Sequence, residues 1–356
     1  MAWTKSKGFS KSKIDSAGTI LINEESSTEE KEKALEILDN WRAMHRYPLH
    51  IFKKRLKTVS EKIDKDALTV QRLKRLPSML KKLQRIYVGT KSTMKLSQMQ
   101  DIAGCRAVLP NVKLVRKLYK EGYIQGDLKH KKVNEKDYIT YPKEDGYRSI
   151  HLIYRYKSNK EGKKDYNGLL VEVQIRSKLQ HLWATAIETV DFITRQAIKS
   201  NEGQKEWVDF FRLVSSAFAI MENTSLVPNT PANKKKLYAQ LKEKEKELQV
   251  VNIMEGWEQA VKVFKEVAKE KPGLKFFLLD LDIVGGKLNL SGYTKNQEEK
   301  AISDYEKAEK RNQGRKEYDV VLVGADTIND LKKAYPNYFV DTKEFLINLK
   351  KILNKT

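Results

Sequence analysis

LLVEVQIRSKLQHLWA, residues 169–184, changes its period part-way along. Up to Arg176 polar and apolar side chains alternate, which fits a strand carrying Glu172, Gln174 and Arg176 on one face. From Ser177 onward the apolar residues fall three and four apart, and this spacing predicts a helix over residues 177–197. Three aligned polar side chains belong either to a strand that faces water or to one that floors a cleft. The surroundings have the same texture. CRAVLP (105–110) and SIHLIYRY (149–156) read as strands and residues 112–121 as a helix, so the middle of the chain is expected to be a small α/β unit.

Toward the N-terminus, residues 24–57 read as helix. Ser27 with Glu30 three positions on is a capping pattern, and Leu35, Ile37, Leu38, Trp41 and Met44 recur at helical intervals. Tyr47-Pro48 marks a break or kink. A second helical region is expected from 49 to 86, with a helix starting near Leu76 because Pro77 suits a first turn. Residues 198–271 return to helix, and LKEKEKELQ within them reads as a solvated charged face. Past Pro272-Gly273 the pattern predicts a hairpin turning near Gly285-Gly286, a helix at 296–312, a strand at 318–323 and closing helices.

A chain of 356 residues with 40% hydrophobic content has enough apolar mass for two cores. Lysine and arginine number 69 against 47 acidic residues, a net charge of +22. Residues 1–200 hold 42 basic against 23 acidic side chains, and residues 201–356 hold 27 against 24, so +19 of that charge belongs to the first part. Residues 51–100 alone have 14 basic and three acidic side chains. Such a surface suits a polyanionic partner. The single cysteine, Cys105, excludes an internal disulfide and a thiolate zinc cluster, and it reads as a small core residue. No stretch is apolar enough for a signal peptide or a membrane span, so the expected location is the cytoplasm, with no membrane partner.

EDGYRSIH (144–151) sets a tyrosine beside a glycine on a loop that feeds the strand at 149–156. An aromatic ring offered from a loop can stack on a base, although an ordinary turn with its tyrosine folded into the core has the same residues. Three further stretches accompany it: RLKRLPSMLKK from Arg72, DIAGCR from Asp101 and EVQIRSKLQHLWA from Glu172, with KDYITYP from Lys136 leading into the loop. In this order and spacing they resemble the synthetase domain of the RelA/SpoT family, which moves a pyrophosphoryl group from ATP to a ribose hydroxyl.

The resemblance implies an α+β fold with a nucleotidyltransferase-like mixed sheet flanked by helices. It implies that Arg72, Lys74, Ser78, Lys82 and Arg106 bind ATP, and that Asp101 and Glu172 hold Mg2+ and activate the acceptor. Lys136, Lys143, His151, Gln174 and Arg176 would hold phosphates and acceptor, and Tyr147 would stack on the acceptor base, a contact worth ~1–3 kcal/mol. The chemistry suits these residue types, since pyrophosphate transfer needs a divalent ion and cations around the triphosphate. Taken alone, Asp101 would read as a helix cap, Glu172 as a solvent-facing strand acid, and the basic helix as a solvated surface. His181 reads as structural. The five histidines include no His-Asp doublet, so a metal-dependent hydrolase has no candidate.

In the last third, KAYPNYFVDT (333–342) places Tyr335 and Tyr338 three apart. With the hairpin, helix and strand before it, this resembles CapRel-type fused toxin–antitoxin proteins, whose tail folds over the ATP site and whose ββαβ module is a pseudo-zinc-finger. Without a cysteine in this module, apolar packing is expected to hold it, with no zinc. The implied organisation is a synthetase over residues 1–200, a helical connector over 201–272 and an antitoxin or sensor module over 273–356. The implied function is an autoinhibited toxin that pyrophosphorylates the 3′ CCA end of tRNA and is released by a phage protein, a capsid protein in related systems. Lys53, Lys54, Arg55 and Lys57 are the candidate tRNA contacts. Two other classes stay open: a small alarmone synthetase making (p)ppGpp or (p)ppApp, and a catalytically silent RNA-binding module.

Overall fold

The computed structural model describes residues 4, 7–85, 94–194, 205–256, 258–259, 273–282, 287–312, 318–324 and 342–354. The chain forms two compact units, Met1–Ile139 with Arg148–Lys178, and Thr140–Tyr147 with Leu179–Thr356. The expected boundaries at 200 and 272 follow motifs, whereas compactness places the helix after Lys178 in the second unit.

In the first unit, helices α1 (Lys11–Ile22), α2 (Thr28–Met44) and α3 (Arg46–Ile63) precede strand β1 (Leu68–Leu73) and helix α4 (Leu76–Arg85). Then follow β2 (Ala103–Leu109), α5 (Val112–Tyr119), β3 (Lys131–Asp137), β4 (Ile150–Arg155) and β5 (Leu170–Ser177). The sheet order is β1-β2-β5-β4-β3; β2 and β5 run parallel and the other neighbours antiparallel. The result is a mixed α+β sheet flanked by helices.

Ser27 caps α2 through the reciprocal bonds with Glu30. The helix breaks at His45, two residues before Tyr47-Pro48, where the Nδ1–H donates to the Trp41 carbonyl at 2.8 Å. Burial lowers the His45 imidazole to about 4, which keeps it neutral there. Pro48 falls in the first turn of α3, where its missing N–H removes no helical bond. The helical region expected from 49 to 86 is interrupted by β1. Thr69 and Val70 are β-branched, and every residue of LTVQRL finds a partner along β2, so tertiary pairing overrides the helical reading. Pairing also makes a strand of the polar segment KKVNEKD, whose sequence lacks apolar alternation.

One face of the sheet, with Cys105, Ala107, Val173, Ile175 and Leu152, packs against Leu49, Phe52 and Leu56 of α3 and Val115 and Leu118 of α5. A separate cluster joins Ile14, Leu38, Met79, Leu83 and Leu96, and so binds α1 and α2 to α4. Asp15 of α1 accepts from the Ser97 N–H at 2.8 Å and its hydroxyl at 3.1 Å.

The second unit contains α6 (Lys178–Thr194, from Leu179), α7 (Lys205–Glu222), α8 (Lys234–Leu248), β6 (Leu274–Asp282), β7 (Lys287–Thr294), α9 (Glu298–Asn312), β8 (Tyr318–Gly324) and α10 (Lys343–Leu353). The strands form an antiparallel sheet in the order β7-β6-β8, which gives the ββαβ order read from the sequence. The residues of the expected Gly285-Gly286 turn lie outside the described ones. Trp183 and Ile187 of α6 share a core with Phe210, Phe211 and Phe218 of α7, with Phe277, and with Phe345 of α10. That shared core is why α6 belongs to this unit. Among the described residues no helix is long and apolar enough to cross a membrane.

Glu245 near the end of α8 accepts from the Val251 N–H at 2.9 Å, capping the helical residues 250–256. Its burial raises the carboxyl to about 7. The raised value favours the folded state while the group is protonated, and this contribution is lost as pH rises from the ordinary carboxylate range through about 7. Glu245→Gln is therefore expected to gain thermal stability over the parent at pH 8 compared with pH 4, by about 3 kcal/mol at most, since the rise from 4.5 to about 7 carries 1.36 kcal/mol per pH unit. Melting curves at both values check this; a pH-independent difference would contradict it.

Candidate active site

The exposed face of the first unit's sheet is set by strand register. Val70, Arg106, Gln174, His151 and Lys136 are successive cross-strand partners, and one step along the strands Arg72, Gly104, Glu172 and Ile153 form a second row. Paired residues point to the same side of a sheet, so Arg72, Arg106, Glu172, Gln174, His151 and Lys136 share one face. Lys74 follows β1, and Ser78 and Lys82 lie one turn apart on α4. Asp101 stands two residues before β2. The structure thus brings to one sheet face Arg72, Arg106, Glu172, Gln174, His151 and Lys136, residues expected at donor, metal and acceptor, from four sequence stretches.

Gly104 belongs to the second of these rows, and the DIAGCR motif gives it no role. It lies between Arg72 and Glu172, and a Cβ built on it would meet only the Arg72 carbonyl oxygen, at 4.0 Å. Residue type carries no sign of this, because only the register shows that a side chain there would stand in the floor of the site.

The two carboxylates have different partners. Asp101 receives Lys74 Nζ on Oδ2 and Lys82 Nζ on Oδ1, each at 2.9 Å. Burial works against its ionisation, but the two ammonium groups outweigh burial and hold the carboxyl below its ordinary range. Glu172 accepts from His151 Nδ1 at 2.8 Å and from Gln174 Nε2 at 2.6 Å, and Gln174 Oε1 accepts from Arg176 Nη2 at 2.9 Å. Burial again opposes ionisation. The hydrogen bond and charge of His151, with Gln174 added, overcome it and lower the Glu172 pKa, while the charge of Asp101 pushes the other way.

Both carboxylates are therefore ionised at neutral pH. With Nδ1–H committed to Glu172, a neutral His151 keeps its lone pair on Nε2, the form of a proton acceptor. The Tyr138 ring stands edge-on to this imidazole at 5.4 Å.

Two hard oxygen donors that feel each other's charge suit Mg2+, which takes one or two carboxylates and fills its shell with waters and phosphate oxygens. Among the described residues no three His, Cys, Asp or Glu side chains converge as a metal cluster. The open floor at Gly104 leaves room for such a ligand beside them.

Lys143 and Tyr147 belong to the second unit. Tyr147 is half-buried: its ring meets Trp183 edge-on at 6.4 Å, and Lys143 Nζ sits 5.3 Å from its centroid. The platform expected there is thus also a packed side chain. His181 is buried in α6.

Of the candidate tRNA contacts, Lys54 and Lys57 are exposed and Lys53 is half-buried. Arg55 differs. Its Nη2 donates at 3.1 Å to the Gly122 carbonyl in the π-helical turn Lys120–Ile124, so this guanidinium anchors a turn. Tyr335 and Tyr338 lie outside the described residues.

Residues 71–191 match the family described as "Region found in RelA / SpoT proteins". This segment contains every site residue from Arg72 to Arg176. The GTP pyrophosphokinase YjbM of Bacillus subtilis is 32% identical over 122 residues, 34% of this chain and 54% of that protein. The GTP pyrophosphokinase YwaC of the same organism is 32% identical over 117 residues, 33% of this chain and 54% of that protein. The chain spans about half the length of these curated relatives. Among solved structures, the small alarmone synthetase 1 from Bacillus subtilis aligns with 52% of this chain and 92% of its own at 23% identity and a TM-score of 0.42. The small alarmone synthetase 2 aligns with 52% and 94% at 22% identity and a TM-score of 0.41.

Proposed function

We propose that the protein is an ATP-dependent pyrophosphokinase whose acceptor is the 3′ CCA end of tRNA. The observation that carries the reaction type is the pair of ionised carboxylates, one flanked by two lysines and the other hydrogen-bonded to a histidine, on a sheet face bordered by arginines. Lys74, Ser78 and Lys82 would hold the triphosphate, and Arg72 and Arg106 would flank the adenine, where a guanidinium can stack and contact phosphate together. Asp101 and Glu172 would hold Mg2+, which neutralises phosphate charge when bound. The acceptor hydroxyl oxygen forms its bond to the β-phosphorus as the bond from that phosphorus to the α,β-bridging oxygen breaks. AMP leaves with the electron pair, and the hydroxyl proton passes to His151 Nε2 or to Glu172. Tyr147 would place the acceptor base and Lys136 and Lys143 its phosphates.

The +19 of the first 200 residues, with Lys54 and Lys57 exposed, supports a polynucleotide acceptor. A second reading, a small alarmone synthetase using a free nucleotide, is supported by the relatives' names as GTP pyrophosphokinases. The proposal includes inhibition by the tail through Tyr335 and Tyr338 and its release by a phage protein, with a capsid protein as the candidate trigger, in a cytoplasmic setting.

Incubation with ATP labelled at the β-phosphate, plus tRNA or GDP, GTP and AMP, separates the readings. Label on the tRNA 3′ end is expected, reduced at least tenfold by raised salt or by Lys54→Glu with Lys57→Glu, and increased by Tyr335→Ala or Tyr338→Ala. Label on free nucleotides alone favours the alarmone synthetase, and no transfer by the parent or by either tyrosine variant favours a silent RNA-binding module. A basal rate unmoved by either tyrosine variant would remove those residues from the inhibition.

A further inference from the structure

The loop that bears Tyr147 is built into the helical core of the second unit. Gly146 sits at φ +92°, a left-handed conformation that favours glycine. A Cβ there would come 2.8 Å from Trp183 Cζ2, 3.2 Å from Ser215 Cβ and 3.3 Å from Arg212 Cα. The backbone therefore touches α6 and α7 with nothing between. Ser215 Oγ closes the contact by donating to the Gly146 carbonyl at 2.6 Å, a buried bond between residues 69 apart in sequence. Within the loop, the Tyr147 N–H donates to Asp145 Oδ1 at 2.8 Å and the Gly146 N–H to the Lys143 carbonyl at 2.9 Å. These bonds fix the tyrosine's backbone.

The seat continues to the end of the chain. Trp183, edge-on to Tyr147, donates its indole N–H to the Phe211 carbonyl at 2.7 Å. The Phe211 ring meets Trp183 at 6.5 Å and stacks at 6.4 Å on Phe345 of α10. Phe211 and Phe345 are each 1% exposed or less, so neither can move without its neighbours. Four rings in contact thus run from the C-terminal helix to the loop tyrosine. Phe211, Ser215 and Phe345 lie beyond the segment 71–191.

We propose that Trp183, Ser215 and Phe345 are positioning residues for Tyr147, so that the C-terminal helix sets the order of the acceptor loop independently of the donor site. Ordering the loop in advance lowers the cost of capturing an acceptor. Loosening α10 raises that cost and leaves the first unit's carboxylates and lysines as they are. The assignment of Tyr147 to the acceptor rests on the pyrophosphokinase reading; the coupling of α10 to the loop does not.

The test is amide hydrogen exchange on the full chain without substrates, comparing the parent with Ser215→Ala and Phe345→Leu. Leucine preserves most of the apolar volume, and core amides of β2 and β5 report whether the fold holds. The expected result is exchange at Gly146 and Tyr147 at least tenfold faster in both variants, with β2 and β5 unchanged. Acceptor KM should rise in both while the Kd of an unreactive ATP analogue stays at the parent value. Loop exchange at the parent rate in Phe345→Leu overturns the coupling to the C-terminal helix, and in Ser215→Ala it overturns the latch. Faster loop exchange in a protein that transfers pyrophosphate to no acceptor, even with Tyr335→Ala or Tyr338→Ala, supports the seat and refutes the pyrophosphokinase reading instead.

Discussion

Glu172→Gln is expected to reduce pyrophosphate transfer by about 10³-fold, within the range for losing a positioned acid–base or electrostatic group, while the protein remains folded. The substitution keeps size and removes charge. In the parent both carboxylate oxygens accept, one from His151 Nδ1 and the other from Gln174 Nε2. An amide offers a single acceptor oxygen, so one of these donors must face an NH2 group. His151 then loses the partner that fixes its tautomer, or Gln174 turns and releases Arg176.

Binding of an unreactive ATP analogue should survive, since Lys74, Lys82 and Arg72 are untouched, and this separates lost chemistry from lost structure. Because the pKa values of Asp101 and Glu172 are both lowered, their ionised forms persist below the ordinary carboxylate range. The rate of the parent enzyme should therefore not fall on account of either group until the pH passes beneath that range. A variant that transfers pyrophosphate at the parent rate would remove Glu172 from the reaction.

What the sequence made legible and what it hid have physical reasons. The alternation in LLVEVQIR put Glu172, Gln174 and Arg176 on one face because a strand's period is fixed by its backbone, and the hydrogen bonds running from Arg176 to Glu172 use that alignment. Ser27 and Glu30 marked a helix start because capping is a local interaction. β1 and β3 were hidden for the opposite reason: both are edge strands whose conformations depend on partners distant in sequence, and KKVNEKD is mostly charged besides. Arg55 looked like its lysine neighbours, and only the fold shows it bonded to Gly122. The seat of Tyr147 was hidden too, since Ser215 and Phe345 are ordinary core residues until the loop is laid against them.

Gly104→Val should give a protein at least as heat-stable as the parent and less active by 100-fold or more. Glycine in a strand interior is unfavourable, and valine suits a pleated, half-buried surface, so replacement there gains up to ~1 kcal/mol when nothing obstructs the side chain. The added Cβ itself is unobstructed, since the nearest atom to it is the Arg72 carbonyl oxygen at 4.0 Å. The two methyl groups would stand between Arg72 and Glu172, in the floor where a triphosphate and its metal must come close to the backbone. They would exclude the ligand without disturbing Asp101, Lys74 or Lys82, so the affinity for an unreactive ATP analogue should fall together with the rate, unlike in Glu172→Gln. Calorimetric titration with that analogue and a thermal melt on the same preparation check both halves. If Gly104→Val binds the analogue as the parent does, the ligand does not approach this face at Gly104, and the donor site must lie elsewhere on the unit. A lower melting temperature with binding intact would show instead that Gly104 is required for packing.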